Sequence, residues 1–292
     1  MYKQQDEIRT VQIYQEDVSN SCNYPLYIAS HCTQGQRKSQ QDNSRYSIEY
    51  DHAFAIVCDG MGGMQGGEKA SEIAVSKFED FYHDETPIAD KAAFFRHAIK
   101  IMDRAICGLR NEAGKPLGAG STMVAVIIEK DKLYWTGVGD SKIYILRGED
   151  MICVTREHNY RLMISQYYEE GSMTAEEYVE EDKRGDALIS YLGMGQIKMM
   201  DVTEKPFQLE AGDIIMLCSD GIYKTLSEET LKTLIRDAGS NMEAVACNII
   251  DCINQADNPT QDNATLIAII YQPDGDRVNP EGEQNYESTE MQ

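Results

Sequence analysis

The sequence predicts a layered α+β domain, with helices segregated from a largely antiparallel sheet. Three observations carry that prediction. Short apolar runs bounded by turn residues recur along the chain. Two long stretches near residues 68–110 instead repeat apolar side chains at helical spacing. The order is strands, helices, meander, insertion, strand, helices, strand, which groups like elements instead of alternating them.

The first helix is expected from Glu68 to Tyr82, where Ala70, Ile73, Ala74, Phe78 and Phe81 share a face. A second runs from Ala89 to Arg110 with Phe94, Ala98, Ile101, Met102, Ala105 and Leu109 on its apolar side. Both are expected to follow strand-like segments. The centre changes period. Thr122–Ile128, Leu133–Val138, Ile143–Leu146 and Met151–Val154 are short apolar runs separated by Lys130-Asp131, Gly139-Asp140-Ser141 and Gly148-Glu149-Asp150, an antiparallel meander. Met123–Ile128 is apolar on both alternating faces, so the sheet that holds it is expected to be covered on both sides.

Residues 159–198 interrupt this pattern with a polar, helix-rich insertion, in which Thr174-Ala175-Glu176-Glu177 is a capping box. Ile214–Cys218 returns to strand, and two helices follow. The second is expected to open at the box Ser240-Asn241-Met242-Glu243 and to pack through Met242, Val245, Ala246, Ile249 and Ile253. Ala264–Ile270 is the last strand. The polar residues 1–24 read as an N-terminal extension, and the acidic residues 272–292, rich in Pro, Gly and Asn, as a disordered tail around a domain at 25–271. No internal repeat is visible.

The chain has 292 residues, 42% of them hydrophobic, enough for a sizeable core. Its 27 basic and 49 acidic residues give a net charge of -22, which argues against nucleic acid and anionic membranes as partners. A phosphate-bearing ligand would need bound cations to reverse the local sign. Met1–Asn20 is polar and mixed in charge, so no secretory signal is expected, and no apolar run approaches the roughly 18 residues of a membrane helix. The eight cysteines include no CxxC pair and read as reduced core thiols of a cytoplasmic protein.

Asp59-Gly60-Met61-Gly62-Gly63, Asp220-Gly221 and Asp262-Asn263 each adjoin an apolar run. One such corner is an ordinary turn. Three aspartates at strand ends can instead converge on a cation, and all-oxygen ligation suits magnesium, manganese or calcium better than zinc. No EF-hand loop is present to favour a calcium-binding domain.

Together these residues resemble the metal-dependent protein serine/threonine phosphatases of the PP2C or PPM family, bacterial type, over about residues 26–271. The motifs run in order: Arg37 with Gln41-Asp42, Asp59-Gly60-Met61-Gly62-Gly63, Gly120-Ser121-Thr122, Val138-Gly139-Asp140-Ser141, Thr155 with Glu157-His158, Ser219-Asp220-Gly221, and Gln261-Asp262-Asn263. The resemblance implies a four-layer α-β-β-α sandwich of two antiparallel sheets flanked by helices, with residues 159–198 as a helical flap. It implies two Mn2+ or Mg2+ ions bridged by Asp59, with the Gly60 carbonyl on one and Asp220 and Asp262 on the other, that activate a water for in-line attack on phosphorus. Asp140, with Asp220, matches a weaker third metal site. Asp42 matches the residue that hydrogen-bonds metal-bound water, and Arg37 the residue that holds the phosphate through its planar fork.

The implied substrates are phosphoserine and phosphothreonine proteins, opposing a bacterial serine/threonine kinase, with the chain expected to be monomeric. An alternative is a catalytically silent module of this fold that binds phosphorylated partners. Gly120-Ser121-Thr122 and His158 read as structural residues. Met61 stands where many eukaryotic members carry the histidine proposed as the leaving-group acid, so the resemblance leaves that acid unnamed. Gln40 stands where Asn is usual, and Glu181-Asp182-Lys183-Arg184 replaces the usual His-Pro run of the flap.

Overall fold

The computed structural model describes residues 25–256 and 258–273. The expected extension at 1–24 and nearly all of the expected tail lie outside the described residues. Two antiparallel sheets face each other. One holds β1 (Leu26–Thr33), β12 (Ala264–Tyr271), β11 (Ile214–Cys218), β7 (Lys142–Arg147) and β8 (Asp150–Cys153), in that order. The other runs β10 (Phe207–Gln208), β6 (Lys132–Val138), β5 (Met123–Glu129), β3 (His52–Met61), β2 (Asp42–Glu49), with β4 (Gly120–Ser121) on β3 and β9 (Asp201–Val202) on β6.

The two-residue period of the strands sorts their side chains into layers. Ala53, Ala55, Val57, Val124 and Val126 meet Ile215, Leu217, Ile267 and Ile269 between the sheets. Their neighbours Phe54, Ile56, Met123, Ala125 and Ile127 pack under α1 (Gly63–Glu85) and α2 (Lys91–Cys107). Met216, Leu266, Ala268 and Ile270 pack under α6 (Glu228–Ala238) and α7 (Met242–Gln255). Each fully buried Val, Leu or Ile contributes about 1.5–3 kcal/mol relative to exposure. The four-layer sandwich is therefore as expected, and β5 is covered on both faces.

The structure departs from the sequence reading in several places. The four central runs are not one meander: β5 pairs with β6, but β7 pairs with β8 and β11 in the opposite sheet. The chain changes sheets at Gly139-Asp140-Ser141, where Gly139 takes φ +103, a conformation open to a residue without Cβ. Helix α2 follows α1 through a short loop and not a strand. Its buried face is Phe94, Phe95, Ala98, Ile99, Met102 and Ile106, rotated from the expected stripe, because Ile101 and Ala105 are only half-buried. Helix α1 begins at Gly63, within the glycine run and before Glu68. Asn241, not Ser240, caps α7, and its side chain accepts from the Ala244 N–H. Only Cys58 and Cys218 of the described cysteines are fully buried.

The insertion forms α3 (Tyr160–Glu169) and α4 (Ala175–Glu181), the latter with the expected capping box at Thr174 and Glu177. Its return limb is pinned to the core. Asp103 on α2, 5% exposed, accepts from the Gly193 and Gly195 N–H groups at 2.8 and 3.1 Å. Leu192 exchanges both backbone hydrogen bonds with Ser121. Among the described residues no helix is long and apolar enough to cross a membrane.

Candidate metal centre at one end of the sandwich

Antiparallel pairing brings the candidate residues to one end. Asp42 opens β2 and lies opposite Asp59 near the end of β3. Asp140 follows β6 at the crossing between sheets. Asp220 begins the short helix α5 (Asp220–Tyr223) directly after β11, and Asp262 precedes β12. The five-stranded sheet thus contributes Asp220 and Asp262, and the seven-stranded sheet Asp42 and Asp59.

Backbone contacts fix each carboxylate. Asp59 donates its N–H to Thr122 Oγ1 at 3.0 Å, and its carbonyl accepts from Ser121 Oγ at 3.0 Å. Gly60 is not a turn residue as its sequence suggested. It remains in β3, paired with Ser121, and donates its N–H to the Gln41 carbonyl at 3.1 Å. Asp220-Gly221 is likewise no turn but the start of α5, and Gly221 lies so close to the Asn263 carbonyl that a Cβ would stand 2.0 Å from its oxygen. Asn263 Oδ1 accepts from the Gln41 N–H, while its Nδ2 donates to the Gln34 and Ser39 carbonyls, which shapes the loop carrying Arg37. Gln40 uses its amide locally, donating to the Thr33 carbonyl and accepting from the Asp42 N–H.

The electrostatics are those of a crowded anion cluster. Burial pushes Asp42 up to about 7, opposed by the hydrogen bond from Ser219 Oγ at 2.6 Å. Burial, then repulsion from Asp42, Asp220, Asp140 and Asp262, raises Asp59 well above the usual carboxylate range. Asp140 is raised to about 6 by burial and by Asp220, with Lys224 opposing. Asp59 therefore lies under the charge of all four of the other carboxylates.

Their compensation is incomplete. Lys224 Nζ lies 2.5 Å from Asp220 and 3.8 Å from Asp140, and Arg37 Nη2 donates to Asp262 at 2.5 Å. Burial draws the Lys224 ammonium down, but Asp220 and Asp140 outweigh it and raise its pKa. Buried oxygens Asp42 Oδ1 and Asp220 Oδ1 still have no hydrogen-bond partner. Buried carboxylate oxygens without donors, in an all-oxygen set, fit hard divalent cations.

Arg37 sits at the edge of this space with 58% of its side chain exposed. Met61 closes β3 opposite Gly120 and carries no proton to donate. His158, fully buried, accepts from the Gly139 N–H at Nδ1, so its proton rides on Nε2, 3.4 Å from Asp201. It orients the turn that carries Asp140, as its reading as a structural residue anticipated.

Three neighbours were given no role from the sequence. Ser219 holds Asp42, Lys224 neutralises Asp220 and Asp140, and Asp201 anchors both His158 and Arg156. Lys224 was detectable, because it stands four residues after Asp220 where a helical turn brings opposite charges together. Asp201, 43 positions after His158 in the numbering, carried no local signal.

The protein phosphatase 2C model matches residues 29–261. The serine/threonine phosphatase stp of Listeria welshimeri is 26% identical over 211 residues, covering 71% of this chain and 81% of that protein. The solved serine/threonine phosphatase of S. agalactiae superposes with a TM-score of 0.71 at 25% identity, covering 85% of this chain and all of that one. The catalytic domain of the phosphatase PstP, solved in complex with two manganese ions, superposes at 0.66 with 23% identity, covering 84% of this chain and 97% of that one. On sequence, fold and the order of its motifs, the chain belongs to the protein phosphatase 2C family, with the bacterial serine/threonine phosphatases as its relatives.

Proposed function

We propose that this phosphoprotein phosphatase hydrolyses phosphoserine and phosphothreonine at a binuclear Mn2+ or Mg2+ centre. One observation carries the reading: Asp59 lies under the charge of Asp42, Asp140, Asp220 and Asp262, brought together from both sheets, and the buried oxygens Asp42 Oδ1 and Asp220 Oδ1 make no hydrogen bond within the chain. Asp59 and the Gly60 carbonyl, with Asp220 and Asp262, are the residues that would hold the two ions, and Asp140 with Asp220 a third. Bound there, such ions supply a water of lowered pKa and offset phosphate charge.

The chain's own residues do the rest. Ser219 fixes the orientation of Asp42, the residue that would hydrogen-bond metal-bound water and whose buried Oδ1 makes no hydrogen bond within the chain. Arg37 uses only Nη2 on Asp262, which leaves other N–H groups of its exposed fork for phosphate oxygens. Lys224 shares Asp220 and Asp140 and holds part of their charge in balance. Met61 excludes side-chain protonation of the leaving oxygen from its own position.

The finer parts of this reading are substrates phosphorylated by a cognate bacterial kinase, a monomeric state and a cytoplasmic location, with a domain at 25–271 that carries the flap at 159–198.

The experiment is phosphate release from a phosphothreonine peptide by wild type and Asp220→Ala, with manganese and then with chelator. Turnover that needs manganese and disappears in the variant supports the proposal. No turnover by wild type with manganese, or with magnesium in its place, refutes it in favour of the silent binding module.

A further inference from the structure

Away from the carboxylate cluster, three side chains of different ligand chemistry meet where α7 packs on the edge strand β1. His31 lies on β1, and its Nε2 is 2.7 Å from Glu243 Oε1. Glu243 and Cys247 lie four residues apart on the first turns of α7, hence on one helix face. One donor atom of each residue, the His31 ring nitrogen, the Glu243 carboxylate and the Cys247 thiol, lies within 4.8 Å of the other two. We propose that His31, Glu243 and Cys247 form a zinc site with three protein ligands and a water in the fourth position.

The donor chemistry selects the ion. Imidazole, thiolate and carboxylate together suit borderline zinc, whereas the all-oxygen cluster at the sandwich end suits manganese or magnesium. Zinc bond lengths of about 2.0–2.3 Å put tetrahedral ligand atoms roughly 3.3–3.8 Å apart. The His31–Glu243 pair at 2.7 Å therefore has to open by roughly 0.6 Å or more, while the Cys247 thiol, within 4.8 Å of both, closes by at most about 1.5 Å. Flexible Glu243, 58% exposed, can supply the opening, while His31, 11% exposed on its strand, is already set.

Charge also balances. A Cys247 thiolate and the Glu243 carboxylate neutralise the two positive charges, and the thiol proton leaves to solvent as the sulfur–zinc bond forms. In the metal-free protein Cys247 is held as the thiol by burial and by the negative charges of Asp251 and Glu243. Those same charges favour a cation once it arrives. The site joins α7 to β1, which already share the Thr33–Asn254 hydrogen bond at 2.9 Å, two residues after His31.

Cobalt(II), which substitutes for zinc and reports thiolate ligation by a near-ultraviolet charge-transfer band, gives a direct test. The full chain is titrated with cobalt under reducing, anaerobic conditions, together with Cys247→Ser, His31→Gln, Cys32→Ser and Asp220→Ala. The expected result is a charge-transfer band in wild type that zinc abolishes and Cys247→Ser lacks. Cys32→Ser and Asp220→Ala retain it, and His31→Gln weakens cobalt binding by about tenfold or more. A wild type without the band, or a band that survives Cys247→Ser, overturns the proposal. Because the readout is sulfur ligation and Asp220→Ala retains it, failure here is distinct from failure of the phosphatase reading.

Discussion

Replacing Asp42 by asparagine in the metal-free protein separates the cost of the carboxylate cluster from its use. Burial lifts the Asp42 carboxyl to about 7 in the folded chain, against about 4 for an exposed aspartate. A carboxyl raised on folding favours the fold fully at low pH, and that contribution is lost as pH rises from about 4 through about 7. Three units correspond to about 4 kcal/mol, and since Asp220 and Asp262 repel Asp42, about 2 kcal/mol is assigned to Asp42 alone.

The substituted side chain would still accept the Ser219 hydroxyl through its amide oxygen, without the charge. In chelator at pH 7.5, Asp42→Asn should therefore unfold at a temperature roughly 4–8 °C higher than wild type. The advantage should vanish near pH 4. Thermal unfolding followed by circular dichroism between pH 4 and 8 reads it. Saturating manganese should shrink or reverse the advantage, because the ion stabilises the ionised cluster. A variant no more stable than wild type at pH 7.5, or equally favoured at every pH, would refute the assignment of strain to this carboxylate.

Other perturbations have equally definite outcomes. Arg37→Ala should raise KM for a phosphopeptide about tenfold or more while kcat changes less, and an unchanged KM counts against a phosphate contact. Gly221→Ala places a Cβ 2.0 Å from the Asn263 oxygen, so Asp220 and Asp262 must separate. Manganese titrations should show weaker binding, and denaturant melts a loss of about 1–3 kcal/mol. Asp103→Ala leaves the Gly193 and Gly195 N–H groups without their acceptor and should increase proteolysis after the helical insertion, whereas Asp103→Asn, which keeps Oδ1, should restore protection.

What the sequence could convey depended on the range of the interactions. The apolar run Ala264–Ile270 and the i, i+3, i+4 faces of α1 and α7 are local patterns, and they fix elements and core together. β2 carries Asp, Asn, Ser, Arg and Glu among its eight residues, and β9 and β10 have two residues each, so none presents an apolar period. Their pairing comes from partners far along the chain. The same limit hid the change of sheet at Gly139: β6 and β7 look alike in sequence and differ only in which strand receives them. At the candidate centre, the aspartates beside Gly or Asn at strand ends were legible singly. Their common space depends on a register, Asp42 opposite Asp59, that no local pattern encodes.

The seam between the sheets has a mechanical consequence. Its interior is held by aliphatic contacts such as Val57, Leu217 and Ile267, which resist separation but little resist sliding. At one end it is crossed by directional contacts, Ser219 to Asp42 and Gln41 to Asn263, in the same place where the acidic residues of both sheets meet. Ions gripping that end would act as a rivet against shear. Linkage then requires the converse: any ligand or substitution that slides one sheet over the other, however remote, changes the grip on the ions by the same free energy.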